Sequence, residues 1–486
     1  MKSPPIQFEI VAKDVMGRIG RLTTPSGTIE TPTVLPVINP NIQIIKPCEM
    51  RRYGAEAIIT NSYIIYRNEE LRNRAISEGL HVMLGWDGVV MTDSGAFQLS
   101  EFGDIEIENE EIIKFQEQIG SDIVVPLDIP TPPDVERSQA EEELKETLRR
   151  LSEARKLSEM TMAGPVQGST FLDLREESAR EVTKIGFEIY PLGAVVPLME
   201  SYRYSDLVDV IASSKKFLPP SAPVHLFGAG HPMVFALAVL LGCDLFDSAA
   251  YALYAKKGRY LTDHKTYDVG DLLYLPCSCP VCSSYEPKDL KKDLKLLSEH
   301  NLYITFEEIR LIKQSIREGN LWELAERRCR AHPFLLDGLK RAINYVELME
   351  KFNSQAKSTF YYLGETSARR PEVFRYKKML DRFDLSGRVL IFAGREIKGW
   401  KKEGYDHIFL MKAPFGPYPI ELKGTYPLYQ SEGPKEMDYE GITVALENLL
   451  KLIECYDDVK FVFVYDDSWE HPLISEIGKN CSLVKL

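Results

Sequence analysis

Eight short runs rich in Val, Ile and Leu recur through the first half of the chain. Each closes in small or polar residues, and helix-like stretches separate them. They are TPTVLPVI from Thr31, AEAIITNSYI from Ala55, GVVMTDSG from Gly88, DIVVPLDIP from Asp122, AGPVQGST from Ala163, IYPLGAVVP from Ile189, PVHLFGAGHP from Pro223 and CDLFDSAAY from Cys243. Eight strand-like runs alternating with helices predict an α/β fold, a (β/α)8 TIM barrel. A doubly wound open sheet is the structural runner-up. No G-x-G-x-x-G follows the first strand and no Walker-type loop is present, so nothing favours nucleotide binding at a switch point. Among the intervening stretches, SQAEEELKETLRRLSEARKL reads as a helix with a capping-box start, Ser138 with Glu141 three residues on.

In a barrel, residues at the C-terminal strand ends form the site. Here those ends carry Asp93 with Ser94, Asp128, Gln167, Gly193 with Ala194, Gly228 to His231, and Asp247. Two of them stand in near-identical settings: Asp93 closes the apolar run Gly88-Val89-Val90-Met91, and Asp247 closes the one in GCDLFDSAAY. A carboxylate at the exit of a buried strand is costly unless it is hydrogen-bonded or has a task. Paired carboxylates carry out retaining glycoside chemistry, one attacking the anomeric carbon while the other manages the leaving group's proton. The competing expectation is that each Asp caps a following helix.

The chain has 486 residues, 44% hydrophobic and 27% charged, too many for one average domain. A net charge of −13 argues against nucleic-acid binding by bulk charge but leaves room for a local basic groove. The N-terminus lacks a signal-peptide layout. The longest apolar stretch, MVFALAVLLGCDLF, is shorter than the ~20 residues a membrane span needs. It reads as a buried helix running into a buried strand. Of eight cysteines, three cluster and five scatter, which points to a reducing cytoplasm and one metal site. The cluster is C-x-C-x2-C, at Cys277, Cys279 and Cys282. Zinc takes four such ligands in a tetrahedron, so a fourth is needed; His300 is the best placed, with His264 and Cys329 as alternatives. Three thiolates and one histidine leave no open position, so the site reads as structural, with one Zn2+ per chain.

Composition divides the chain into a catalytic barrel over 1–355, with a zinc subdomain at about 270–350, and two small α+β units over 356–435 and 436–486. KFNSQAKST, from Lys351 to Thr359, reads as the linker. In the tail, RVLIFAG, HIFLMKAPFGPYPIEL and VKFVFVYDD read as strands, with the helix GITVALENLLKLIECY between the last two.

At these motifs the chain resembles the tRNA-guanine transglycosylases, in particular their archaeal, archaeosine-forming branch. MTDSGAFQL, PLDIPTPPD, GAVVPL, HLFGAGHP, DLFDSAAYALYAKKGRY and CSCPVC…HNLY are family-like stretches in the family order, covering roughly residues 8–350 and reaching into the tail. The resemblance implies base exchange at one tRNA guanosine. Asp247 would be the nucleophile that attacks C1′ of the ribose and leaves a covalent tRNA–enzyme intermediate, and Asp93 the general acid/base. It further implies that Asp128, Ser94 and Gln167 hold the base by its edges, that the backbone of Gly193 and Ala194 meets its substituent, and that Phe97 stacks on it. Lys256, Lys257 and Arg259 are expected to contact tRNA phosphates.

Bacterial and eukaryotic relatives carry GGLAVGE where this chain has LGAVVPLME. The loss of that glutamate-bearing loop fits a neutral cyano group on the incoming base. The expected substrate is therefore 7-cyano-7-deazaguanine (preQ0), placed at position 15 of the tRNA D-loop in archaeosine biosynthesis. Family members form homodimers through the zinc region. Archaeal members usually end in a PUA module; none is recognisable here, and a separate PUA-domain protein is one expected partner. The alternative reading is a catalytically silent tRNA-binding paralogue or partner subunit, of a kind that typically loses its catalytic carboxylates; Asp93, Asp128 and Asp247 are all present. A third is an unrelated barrel glycosidase, which the zinc loop and the scarcity of strand-end tryptophans argue against.

Overall fold

A computed structural model of the chain describes residues 7–96, 107–394, 400 and 402–486. The chain divides into two compact units, one of residues 1–317 and 327–342, the other of 318–326 and 343–486.

The first unit opens with an antiparallel sheet of β1 (Gln7–Asp14), β2 (Gly17–Thr24) and β3 (Gly27–Thr31). It then builds seven parallel strands: β4 (Thr33–Ile38), β5 (Ala57–Asn61), β6 (Val89–Asp93), β7 (Ile123–Val124), β8 (Tyr190–Leu192), β9 (Val224–Leu226) and β10 (Leu245–Ser248). Their order is β7-β6-β5-β4-β10-β9-β8. The gap between β7 and β8 is closed by the extended segment 162–166, through the parallel bridges Val124–Met162, Ala163–Ile189 and Val166–Leu192. Eight staves therefore form a closed ring, as the eight apolar runs predict. The fifth, in AGPVQGST, is too rich in Gly and Pro to make a regular ladder, since proline supplies no N–H.

Strand alternation decides what fills the ring. Leu35, Ala57, Ile59, Val89, Met91, Ile123, Val125, Ala163, Ile189 and Leu245 form one buried cluster. In register, Ala57 faces Val89 and Ile59 faces Met91, so alternate residues share the interior. Leu22 and Ile29, from β2 and β3, belong to the same cluster, which makes the small antiparallel sheet part of the barrel core. A buried bidentate pair holds it there: Arg18 Nε and Nη2 lie 2.7 and 2.8 Å from the two oxygens of Asp244.

The outer helices follow their apolar spacing. Arg137–Leu157 buries Ala140, Leu144, Thr147, Leu151 and Ala154, one stripe at three- and four-residue intervals. The capping box expected at Ser138 is absent. The helix starts at Arg137 with Glu136 as N-cap and no side-chain cap bond, and Glu141 is paired to Arg137 at 2.7 Å. Pro232–Leu240 is buried on every side, as its unbroken apolar sequence requires. Helix Pro333–Ala342 lies close to it because Gly338 presents no side chain to Tyr204 and Leu237. No helix among the described residues is long and apolar enough to cross a membrane.

The second unit holds a five-stranded sheet in the order Gly416–Pro419, His407–Lys412, Arg388–Ala393, Lys460–Tyr465, Cys481–Lys485. Helix Tyr439–Glu454 covers it with Ile442, Ala445, Leu446, Leu449 and Leu452. Strand Arg388–Ala393 pairs directly with Lys460–Tyr465, so the division expected between 435 and 436 cuts across this sheet. Arg370, Glu323, Glu372 and Lys357 form a buried ion cluster in the same unit; two cations against two anions leave no net charge to desolvate.

Candidate active site and metal-ligand cluster

The alternation that fills the barrel also places its carboxylates. Asp93 follows Val89 and Met91 in the inward phase, and Asp247 follows Leu245. Their in-register neighbours are Asn61 and Leu35. Both aspartates are thus the first polar residue above the apolar interior, at the C-terminal ends of β6 and β10. Asp93 Oδ2 accepts from Asn61 Nδ2 at 3.2 Å and from the Gly95 N–H at 3.3 Å. Burial pushes its carboxyl up to about 7, and the negative charges of Asp128 and Asp247 push in the same direction. That mutual effect places the three carboxylates around one space.

Asp247 is held by one oxygen. Its Oδ1 accepts from the Gly228 N–H at 2.8 Å and lies 3.0 Å from His225 Nε2. Gly228 has φ +70, and a Cβ there would collide with Val196, so the donor depends on glycine at this turn. Asp247 does not cap the helix that follows it: the Ala250 N–H is taken by Ser248 Oγ at 2.8 Å. The capping alternative therefore fails for this aspartate.

Asp128 is buried against Gln167, whose Nε2 donates to it at 2.6 Å. Burial raises its carboxyl to about 6, and the Gln167 bond acts against that rise. Gln167 in turn packs on Gly193, where a Cβ would lie 2.1 Å from Gln167 Nε2; only glycine fits. Ala194 follows with φ +57, a left-handed backbone uncommon outside glycine. Beneath them, buried Arg175 donates to the carbonyls of Ser169, Val166 and Gly193 at 2.8, 2.7 and 3.0 Å, tying the ends of two neighbouring staves. Ser94 Oγ and Gln167 Oε1 are buried and have no hydrogen-bond partner among the described residues. An unsatisfied buried polar atom costs about 1–3 kcal/mol, so both are open positions for a polar ligand. Phe97 lies outside the described residues.

Lys256 and Lys257 are exposed at the end of helix Ala250–Lys256, which leads away from Asp247. Arg259 stands 3.9 Å from Asp268, half-exposed. Sequence reasoning missed three groups: Asn61, Arg175 and His225. For Asn61 and His225 the signal was present in strand parity, since 61 continues the phase of 57 and 59 and 225 that of 227. Arg175 sits in the first turn of helix Leu172–Ile185 and gave no signal.

Downstream, the ligand atoms of Cys277, Cys279, Cys282 and His300 all lie within 4.8 Å of one another. His300 Nδ1 is 3.6 Å from Cys279 Sγ and 3.3 Å from Cys282 Sγ. A tetrahedral zinc with metal–sulfur bonds of about 2.3 Å and a metal–nitrogen bond of about 2.0 Å has S–N edges of about 3.5 Å, so the residues fit such an ion. The other ring nitrogen, Nε2, is 2.9 Å from the Leu261 carbonyl, which fixes its proton there and leaves Nδ1 as the free ligand. The Tyr260 ring stacks on His300 at 3.6 Å. His264 instead faces Asp263, and Cys329 is not part of the cluster.

The first unit thus joins a closed eight-stave barrel, three carboxylates at its mouth and a Cys3His cluster, the layout of a barrel enzyme whose chemistry sits at the C-terminal strand ends. Residues 14–334 match the family described as queuine tRNA-ribosyltransferase (TGT). Similar proteins named tRNA-guanine(15) transglycosylase occur in Methanosarcina barkeri, 60% identical and covering 98% of each chain, and in Haloferax volcanii, 48% identical over 99% of this chain and 94% of that one. A third, in Methanocaldococcus jannaschii, is 51% identical over 89% of this chain and 69% of its own length. The chain belongs to the queuine tRNA-ribosyltransferase family.

The raised Asp93 carboxyl has a consequence for stability. The group titrates near 3.8 in the unfolded chain and at about 7 in the folded one, so folding takes up a proton between these values. Its favourable contribution is complete below pH about 4 and is lost as pH rises through about 7. Asp93→Asn removes this dependence. The variant should melt above wild type at pH 8, with the difference shrinking towards pH 4; a difference that does not change with pH would contradict the buried, charge-coupled setting of Asp93.

Proposed function

We propose that the protein is a tRNA-guanine(15) transglycosylase that exchanges guanine at position 15 of the tRNA D-loop for 7-cyano-7-deazaguanine. The observation that carries this reading is the arrangement of Asp247: Oδ1 is engaged by Gly228, while among the described residues no hydrogen bond occupies Oδ2, at the mouth that Asp93 and Asp128 share. Oδ2 attacks C1′ of the ribose, and the C1′–N9 pair leaves with guanine. Asp93, whose carboxyl is raised to about 7, holds a proton at neutrality and delivers it to the departing base. The ribose is then an ester of Asp247. The incoming base gives its ring N–H proton to Asp93, attacks C1′, and the electron pair of the C1′–Oδ2 bond returns to the carboxylate. Two displacements at one carbon retain configuration.

The base would be held on its edges. Asp128 accepts from the exocyclic amine and ring N–H, while the unpartnered Ser94 Oγ and Gln167 Oε1 supply further polar positions. The stretch from Leu192 to Met199 carries no charged side chain and Glu200, the first after it, is exposed at the end of helix Val196–Glu200, which favours a neutral substituent over a cationic one at Gly193 and Ala194. Lys256, Lys257 and Arg259 would meet tRNA phosphates beside the site. The guanosine must leave the stack to reach the barrel mouth. The Cys277, Cys279, Cys282 and His300 cluster would hold one Zn2+ with no open coordination position, a staple rather than a catalyst. Leu273 and Tyr274, next to that cluster, are 83% and 82% exposed, which supports a homodimer contact there.

Exchange of radiolabelled guanine into unmodified tRNA tests the reading. Wild type should incorporate label and Asp247→Ala should incorporate none; full exchange by that variant would refute the nucleophile. Metal analysis should find about one zinc per chain, lost together with thermal stability in Cys279→Ala. A wild-type protein that is metal-free and equally stable would refute the staple.

A further inference from the structure

His225 is a polar residue in an apolar place. It lies on β9 opposite Leu245, in the inward phase, and its side chain is fully buried. Residues of that phase on the other strands are Leu35, Ile59, Met91 and Ile189. Phe227, two residues on, meets its ring edge-on at 4.6 Å. Its Nε2 lies 3.0 Å from Asp247 Oδ1, yet neither ring nitrogen makes a well-aligned hydrogen bond. An imidazole enclosed without an aligned partner is an expensive filler where aliphatic residues serve on the neighbouring strands. Donor contacts of this kind are often poorly aligned before substrate binds and tighten in the complex.

We propose that His225 is a positioning residue for Asp247, donating from Nε2 to Oδ1 so that Oδ2 alone faces the ribose. The inference rests on Asp247 being the attacking carboxylate. With the Gly228 N–H already on Oδ1, a second donor fills that oxygen's acceptor sites and fixes the carboxylate in one rotamer. When the Oδ2–C1′ bond forms and the C1′–N9 pair leaves with guanine, Oδ1 becomes the ester carbonyl oxygen. When the incoming base displaces the ester, the C1′–Oδ2 pair returns to the carboxylate and negative charge grows again on Oδ1. His225 and Gly228 stand where that charge appears, so the imidazole eases release of the product, while in the first step it acts only by holding the carboxylate's orientation.

The test is steady-state guanine exchange by His225→Phe and His225→Gln, with melting followed by circular dichroism. Phe fills the space without a donor, and Gln returns an N–H near the position of Nε2. His225→Phe should lower kcat about ten- to a hundredfold, the effect of removing a hydrogen bond to a charged group, with KM for tRNA within about twofold of wild type. His225→Gln should recover most of that loss. If the Phe variant does not fold, His225→Leu takes its place in the comparison. Wild-type kcat in the apolar variant, or equal losses in the apolar and Gln variants with unchanged melting, would overturn the inference. Exchange lost in Asp247→Ala but kept in His225→Phe leaves the nucleophile standing and removes His225. Exchange retained by Asp247→Ala, or absent from wild type, removes both.

Discussion

Parity along closed parallel strands is the constraint on which the rest of the molecule depends. A ring of eight staves has an interior that admits every second residue, and the side chains there must be apolar until the ring opens. In β6 the inward series runs Val89, Met91, Asp93; in β10 it runs Leu245, Asp247. The step from hydrocarbon to carboxylate falls at the same mouth on both strands. From that single geometric fact follow the burial of the carboxylates, the raised Asp93 and Asp128, and the glycines that let loop backbone approach them. The barrel gathers carboxyls at a place where negative charge is unfavourable, and protonation and neutral donors relieve part of that cost.

The supporting groups divide this labour. Asp93 has a glycine N–H and an asparagine amide, too few donors to offset burial, and so keeps a proton near neutrality. Asp247 has the Gly228 N–H on one oxygen, with His225 Nε2 3.0 Å from the same atom, and in the proposed reaction the other oxygen attacks. Asp128 is tied to Gln167, which is tied by Gly193 and by the Arg175 clamp on the surrounding carbonyls. Two carboxylates of the same kind at equivalent strand ends thus acquire different chemistry from a handful of neutral donors. The Cys3His cluster lies outside this circuit, downstream of Lys256, Lys257 and Arg259.

Much of this was legible in the residues. Each of the eight apolar runs became a stave, since short Val- and Ile-rich runs punctuated by glycine and polar residues have few other ways to bury themselves. Cys277, Cys279, Cys282 and His300 do come together as their spacing suggests, because thiolates so close together constrain one another. Other features depended on what sequence does not show. Ser138 and Glu141 have the right spacing for a cap, but Arg137 draws Glu141 away and the N-cap falls two residues earlier, at Glu136. The tail strands were found, yet their joining into one sheet across residue 435 rests on long-range pairing with no local signature. His225 shares the parity of Phe227, but a histidine inside a strand run looks like an ordinary core residue until its register with Leu245 sets it beside Asp247.

The identity of the attacking oxygen's residue is the centre of the account, and a covalent adduct tests it most directly. Enzyme and unmodified tRNA would be mixed while released guanine is removed, then quenched, digested with nuclease and protease, and examined by mass spectrometry. The account predicts a nucleotide remnant esterified to the peptide that contains Asp247, absent from Asp247→Asn. A remnant on the peptide containing Asp93, or exchange that proceeds with no adduct at any residue, would contradict it.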